Sequence, residues 1–152
     1  MTVIRELLSY RLHVVANLLS RSAELRYRRE FGVSLWEWRT IALLGGAAEP
    51  LSLNELARSA GIDKSQMSRV VSGLTKRRIV LRAADSSDGR SVRLVLSKAG
   101  RRLYEGLIGA AGERDGVFMN CLSQKEKLAF DRTLAKLAEK ARSMIKHERA
   151  AA

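Results

Sequence analysis

The sequence has one cysteine, Cys121, and one proline, Pro50. A single cysteine cannot form an internal disulfide, which favours a reducing compartment. No stretch approaches the roughly 20 apolar residues that a bilayer crossing needs. The N-terminal MTVIRELLSYRL has Arg and Glu among its apolar residues, unlike a signal peptide. We therefore expect a cytoplasmic protein without a membrane partner.

Motifs of enzyme and cofactor sites are missing as well. The sequence contains no G-x-S-x-G nucleophile motif and no phosphate-binding P-loop. His13 and His147 with one cysteine do not provide the ligands of a metal site. Gly106, Gly109 and Gly112 have the spacing of part of a dinucleotide fingerprint, but no strand precedes them. We therefore expect no enzyme activity, no cofactor and no metal.

Acidic residues are scarce relative to basic ones. The sequence has 16 Asp and Glu against 28 Lys and Arg, a formal net charge of +12. Residues 58–102 contain twelve of the basic residues and three of the acidic ones, so most of the excess lies there. Such a concentration of positive charge indicates binding to nucleic-acid phosphate. The alternative is a basic surface that is solvated and binds no ligand.

Four N-cap motifs mark the starts of helices. In a capping box, a Ser hydroxyl accepts a hydrogen bond from the backbone N–H of the residue three positions later. The side chain of that residue, a Glu, accepts from the backbone N–H of the Ser. The motifs are Ser34-x-x-Glu37, Ser52-x-x-Glu55, Ser123-x-x-Glu126 and the Asp/Gln variant Asp63-x-x-Gln66. Each precedes apolar residues with helical spacing, which predicts that helices begin at these four positions.

The apolar spacing along the chain predicts six helices and one β-hairpin. The helices cover about 3–29, 35–44, 52–59 and 63–77, a fifth segment from Ser97 past Tyr104, and a sixth from Ser123. Residues 79–81 and 92–96 have strand composition, and the polar segment between them has Asp-Gly near its tip. Five glycines weaken the predicted fifth helix by up to about 1 kcal/mol each.

This order predicts a mainly α fold with a small β-hairpin wing (α+β), a winged helix-turn-helix. Residues 33–97 are the expected DNA-binding domain, 1–32 and 98–148 a helical dimerisation region, and 149–152 a flexible tail. The first helix has an apolar stripe, and the last has a heptad-like seam of Phe130, Leu134, Leu137, Ala141 and Met144. We predict a homodimer, because a winged-helix core is too small to bury both. The alternative is a monomer whose terminal helices fold onto the core.

The fourth helix divides into an apolar and a polar face. The apolar face, which is expected to pack on the third helix and the wing, consists of Met67, Val70, Val71 and Leu74. The face predicted to enter the DNA major groove consists of Lys64, Ser65, Gln66, Ser68, Arg69 and Ser72. Gln66 suits adenine and Arg69 suits guanine, while Lys76 and Arg77 suit phosphate. The alternative is that these polar side chains are solvated or contact phosphate only.

In the hairpin sequence DGRSVRLVLS, Arg90 lies at the predicted tip, where its guanidinium suits a narrow minor groove of DNA. Asp88 is expected to orient this guanidinium. With the helix order and the segment LNELARSAGIDKSQMSRVVSGLTKRRIV, this sequence resembles the MarR family of bacterial transcriptional regulators over nearly the whole chain. The resemblance implies that Arg90 reaches DNA, that Ser68-Arg69 lies on the recognition helix and that Arg82 is a further contact. It also implies a homodimer on a pseudo-palindromic operator in double-stranded DNA, often next to its own gene. Release by small, often aromatic or phenolic, anionic ligands is common in that family.

Two features depart from the family pattern. Arg78 occupies the position where the family usually ends its recognition helix with Gly, so a left-handed cap there is either strained or avoided. The first helix lacks the cysteine of redox-sensing members, and Cys121 is expected to be a small buried residue rather than a sensor.

A ligand pocket in this architecture is expected between the dimer helices and the winged domain. Arg11, His13, Trp36 and Arg39 are the candidates for binding an aromatic carboxylate, although Trp36 and Trp38 also suit core or hinge packing. We therefore predict a sequence-specific DNA-binding regulator, a repressor released by a small, aromatic anionic ligand. The main alternative is a low-specificity architectural DNA-binding protein without an effector. A membrane-surface role for the basic C-terminal segment is disfavoured by its heptad seam.

Overall fold

The computed structural model describes residues 3–84 and 92–151. A short 3₁₀ helix, Ile4–Glu6, precedes α1 (Leu8–Phe31), α2 (Leu35–Gly46), α3 (Leu53–Ala60) and α4 (Lys64–Lys76). Strands β1 (Val80–Ala84) and β2 (Val92–Leu96) pair antiparallel, and α5 (Lys98–Met119) and α6 (Gln124–Ala151) follow. The chain divides into two compact units, Met1–Ala111 and Gly112–Ala152. The predicted fold class, mainly helical with a hairpin wing, is confirmed.

All four predicted N-caps are confirmed. In the three Ser/Glu boxes both hydrogen bonds form, with lengths of 2.7–3.3 Å, at Ser34 and Glu37, Ser52 and Glu55, and Ser123 and Glu126. The Asp63 carboxylate accepts from the N–H of Gln66 at 2.8 Å. Helix starts are therefore determined locally, because each cap satisfies N–H groups that the first turn leaves unpaired.

The core lies among the second half of α1, helices α2 to α4, the hairpin and the first part of α5. Its fully buried side chains include Tyr27, Ile41, Leu56, Met67, Val71, Leu74, Val80 and Leu107. The predicted packing face of α4 is confirmed, because Met67, Val71 and Leu74 are buried and Val70 packs against the core. The rings of Trp38 and Tyr27 lie 5.1 Å apart, so Trp38 packs against the core.

Leu51 pairs with the β-hairpin as an isolated bridge residue. β1 and β2 pair over all five residues of each strand. Leu51 exchanges two backbone hydrogen bonds with Leu94 of β2, at 2.8 and 3.2 Å, which fixes the start of α3 beside the strands. Residues 85–91, which include the predicted wing contacts Asp88 and Arg90, lie outside the described residues.

Helix α5 runs through 22 residues although it contains five glycines. A Cβ on Gly100 would overlap the carbonyl oxygen of Ile79, and one on Gly106 would lie 3.0 Å from the ring of Phe31. Glycine at these positions lets α5 approach the start of β1 and the end of α1 closely. Tertiary packing therefore offsets the low helix propensity.

Helix α4 ends in a strained cap. Arg78 adopts the left-handed conformation, with φ 56°. The N–H of Arg78 donates to the carbonyl of Thr75 at 2.9 Å. The N–H of Ile79 donates to the carbonyl of Leu74, also at 2.9 Å. The Ser97 hydroxyl donates to the Arg78 carbonyl at 2.7 Å, which ties this cap to the start of α5. The chain thus forms a left-handed cap with a non-glycine residue, at a steric cost to Arg78.

Replacing Arg78 with Gly is expected to stabilise the protein by about 1 kcal/mol relative to Arg78→Ala, because glycine adopts this backbone without a Cβ clash. Both variants lack the arginine charge, so the comparison isolates the backbone. Urea unfolding followed by circular dichroism at one protein concentration measures the difference. Equal stability of the two variants would contradict a strained cap.

The apolar surfaces of the terminal helices are largely exposed in the single chain. Helix α1 buries only Ala23 and Tyr27, and its exposed residues include Leu8, Leu12, Val15, Leu18 and Leu25. No residue of α6, over Gln124–Ala151, is buried. The helix continues through residues 149–151, where the sequence predicted a tail. Within residues 3–84 and 92–151, no helix is both long and apolar enough to cross a membrane.

Cys121 is exposed, so the prediction of a small buried residue was wrong. It lies in the turn between α5 and α6, where its thiol donates to the carbonyl of Phe118 at 2.9 Å. A turn that only connects two helices has too few neighbours to bury a side chain.

Candidate nucleic-acid interface

Helix α4 is presented by a tight turn after α3. Gly61 ends α3 in the left-handed conformation, with φ 70°, and Asp63 then caps α4. Because the apolar side of α4 is buried, its other side faces outward. Lys64, Ser65 and Arg69 are exposed, and Gln66, Ser68 and Ser72 are half-buried. None of the six residues predicted to face DNA is taken up by the core.

A surface groove of about 540 Å³ runs along the first half of α4. It is lined by Leu53 of α3 and by Lys64, Ser65, Ser68 and Arg69. The structure therefore brings four of the predicted contacts together. Two short serines between two cations leave room for a phosphate backbone or a base edge to approach the helix.

Arg69 also lines a second groove, of about 630 Å³. Its other lining residues come from the end of α1, the start of α2 and α4, and are Arg28, Gly32, Val33, Ser34, Glu37, Val70 and Gly73. Arg28 was not predicted as a site residue. It pairs with Glu24 at 2.9 Å, one turn earlier on α1. The sequence signal for it is only the four-residue spacing of that pair, which is common on helices.

Two further predicted cations flank the recognition helix. Lys76, at the end of α4, is exposed. Arg82 of β1 is exposed and lines a small pocket of about 120 Å³ at the joint between α4 and the hairpin. The pocket is completed by Leu53, Ser68, Val71, Val92 and Leu94. Arg82 therefore lies beside α4, and its contact with DNA stays a prediction.

Two arginines pair with the capping glutamates of α2 and α3. Arg77 donates to Glu37 and Arg93 donates to Glu55, each at 2.9 Å. Hydrogen bonds from Ser52, with the charge of Arg93, hold the pKa of Glu55 below its ordinary value of 4.5. Neither pair was predictable from the sequence, because the two residues of each pair lie 40 and 38 positions apart, respectively. A capping motif already explains each glutamate and gives no sign of a second partner.

The candidate effector residues fall into two sets. The guanidinium of Arg39 lies 4.8 Å from the ring centre of Trp36 and donates to the Ser20 hydroxyl of α1 at 3.2 Å. Arg11 and His13 are exposed on α1. The structure thus brings Trp36 and Arg39 into contact next to α1. In the part of the chain that the structure describes, no three His, Cys, Asp or Glu residues are grouped as a metal ion would require.

Known proteins share this sequence pattern. A family model described as the MarR family matches residues 31–91. The HTH-type transcriptional regulator FarR of Neisseria gonorrhoeae is 31% identical over 103 residues, which cover 68% of this chain and 70% of FarR.

Solved structures share the fold. A MepR–DNA complex from Staphylococcus aureus matches with a TM-score of 0.80 at 18% identity, covering 88% of this chain and 98% of that chain. CouR from Rhodococcus jostii RHA1, bound to p-coumaroyl-CoA, matches with a TM-score of 0.77 at 20% identity, covering 91% and 96%. Both agree with a winged helix-turn-helix flanked by long helices. Taken with the family match and FarR, the chain belongs to the MarR family, whose members are transcriptional regulators rather than enzymes.

Proposed function

We propose that this regulator is a homodimeric repressor that recognises a pseudo-palindromic operator by its sequence and releases it when a small, aromatic anionic ligand binds. The observation that supports DNA reading is the division of α4. One side of this helix is packed into the core, and the other lines an open groove with cations and short hydroxyl side chains. An α-helix fits the major groove of B-DNA, where base edges are distinguishable.

Base readout is assigned to Arg69 and Gln66. Arg69 is exposed at the middle of α4 and suits the O6 and N7 acceptors of guanine, while Gln66 suits adenine. Ser65, Ser68 and Ser72 are short, so the helix backbone can approach the bases. If these side chains instead contact only solvent or phosphate, DNA affinity is expected not to depend on the base sequence.

Phosphate binding is assigned to the exposed cations beside this helix. Lys64 lies at the start of α4, Lys76 at its end and Arg82 on the adjoining strand. Contacts to phosphate fix the position of the protein on the duplex without reading its sequence. For the wing tip, outside the described residues, we propose that Arg90 enters the minor groove and that Asp88 orients it.

The dimerisation region is assigned to residues 1–32 and 98–148, and the DNA-binding domain to 33–97. This division is supported by the exposure of apolar residues along α1 and α6, which contrasts with the buried residues of α2, α3 and α4. A two-fold dimer presents two copies of α4. Its half-sites are then expected about 10 bp apart, or a multiple of that.

Ligand-controlled release is supported by the pair of Trp36 and Arg39. The guanidinium of Arg39, which lies over the Trp36 ring, suits an aromatic carboxylate because it can donate a charged hydrogen bond to the carboxyl group. CouR, which has the same fold, is bound to p-coumaroyl-CoA. Arg11 and His13 are exposed on α1 and are the further candidates for contacting such a ligand.

Selection of bound duplexes from a randomised library tests the proposal. We expect enrichment of a two-fold related motif that binds at least about 10³-fold more tightly than random DNA. Log affinity is expected to fall with log salt by about 0.9 for each phosphate contacted. Millimolar 4-hydroxybenzoate is expected to weaken operator binding. Equal binding to all duplexes would instead support an architectural protein. Operator affinity that is unchanged by 4-hydroxybenzoate would contradict this ligand class.

A further inference from the structure

Glu37 joins the first turn of α2 to the end of the recognition helix. Its Oε2 accepts from the N–H of Ser34 at 2.8 Å, which completes the cap of α2. Its Oε1 accepts from Nη1 of Arg77 at 2.9 Å. Arg77 is the residue that ends α4. Both carboxylate oxygens are therefore in use, one for the helix on which Glu37 lies and one for α4.

A second contact holds the same two helices together at the other end of α4. The buried Thr40 hydroxyl of α2 lies 3.5 Å from the sulfur of Met67, in the first turn of α4. Met67 and Arg77 lie ten residues apart, which corresponds to about 15 Å along a helix axis. These two polar contacts add to the packing of the buried face of α4, which includes Val71 and Leu74, and the Glu37 pair is the polar contact near the end of α4.

The direction of α4 on α2 matters most for Arg69. The arginine lies between the two contacts, and it lines the same groove as Glu37. Bidentate hydrogen bonds to a base edge require donor and acceptor within a few tenths of an ångström and near linear geometry. Attraction between a cation and phosphate tolerates larger displacements. A change in the angle of α4 therefore weakens base readout more than phosphate binding.

We propose that Glu37 is a positioning residue for sequence recognition and that Arg77 transmits its effect to α4 instead of contacting phosphate. This inference rests on the proposed operator binding through α4. It reassigns Arg77, whose place at a helix end suggests a phosphate contact when the sequence is considered alone. A carboxylate 2.9 Å from the guanidinium offsets the charge that phosphate would need.

Glu37→Gln separates the two bonds of this residue. Glutamine at this position can still accept from the N–H of Ser34, so the cap of α2 is retained while the charge that holds Arg77 is lost. We expect operator affinity to fall about two- to five-fold per half-site, the range of one partly exposed ion pair. The affinity for random duplexes is expected to stay unchanged. The slope of log affinity against log salt concentration, the salt slope, is expected to stay unchanged as well. Arg77→Gln, which leaves the cap intact, is expected to behave in the same way.

Glu126→Gln is the matched control. Glu126 forms the same capping box with Ser123, on α6, in the other compact unit of the chain. This variant is expected to leave both affinities unchanged. The double variant Glu37→Gln/Arg77→Gln is expected to lose no more operator affinity than either single variant, because the two residues act through one bond.

Three results would overturn the inference. Tighter binding of Glu37→Gln to both duplexes with a steeper salt slope would mean that the freed Arg77 contacts phosphate. A salt slope that becomes shallower by about 0.9 per half-site in Arg77→Gln would mean the same. Unchanged specificity in both single variants would mean that the ion pair is structural only. Failure of the proposed function is distinguishable, because the wild-type protein would then show no preference for any duplex.

Discussion

Replacement of Leu134 and Leu137 by Asp is expected to convert the protein to a monomer at micromolar concentration and to lower operator affinity by 100-fold or more. Helix α6 buries no residue in the single chain, so these substitutions remove no described intrachain core contact. In a dimer they place charges in a seam that excludes water. Loss of the dimer also removes the effective concentration that links two half-sites, worth about 10²–10⁴ in affinity.

Ala129→Asp/Ala135→Asp is the matched control for this prediction. It adds the same two charges to α6 at positions off the seam, so association and operator binding are expected to persist. Analytical ultracentrifugation measures the mass of each variant. Titration with an operator half-site measures the DNA affinity that the monomer retains. A wild-type protein that sediments as a monomer at micromolar concentration would contradict the interface, as would a control variant that dissociates as well.

The secondary structure was predictable because its determinants are local. Each of the four caps is satisfied by residues three positions apart, so the starts of α2, α3, α4 and α6 agree with the sequence to within a residue or two. The face of α4 was predictable for the same reason, since a period of 3.6 residues assigns each side chain to one side of the helix.

Helix α5 shows the limit of local reasoning. Its glycines lower helix propensity, and nothing nearby in the sequence indicates that Gly100 lies against the carbonyl of Ile79. The left-handed Arg78 is a similar case, because the bond from Ser97 that supports it comes from beyond the hairpin. Propensity describes a residue in isolation, whereas close packing is a property of two segments that meet only in the fold.

The same distinction applies to the candidate interface. The polar residues of α4 were assigned together because they share one helix face. Arg28 and Glu37 line a groove with Arg69 only because the end of α1 and the start of α2 meet α4 in space. Charge pairs across 40 residues leave no periodic signal, so the pairing of Arg77 with Glu37 required the structure.

Arg69→Ala and Lys76→Ala are expected to separate base reading from phosphate binding. Arg69 lies at the middle of the exposed face of α4, where a bidentate contact to guanine is worth about 1–3 kcal/mol. Its loss is expected to lower operator affinity by about 5- to 150-fold per half-site and to narrow the difference in affinity between operator and random DNA. Lys76 lies at the end of the helix, where phosphate contacts carry no sequence information. Lys76→Ala is expected to weaken both complexes equally and to make the salt slope shallower by about 0.9 per site.

Titrations of both variants against operator and random duplexes at two salt concentrations measure these differences. Both side chains are exposed, so neither substitution removes a core contact, and each variant serves as the control for the other. The comparison is informative because the two residues lie on one helix and carry the same charge, but differ in position and in side-chain geometry. If Arg69→Ala loses affinity equally on both duplexes and flattens the salt slope, as Lys76→Ala is expected to do, Arg69 contacts phosphate. Base readout would then have to be assigned to Gln66 or to the wing, because the middle of α4 would carry no sequence information.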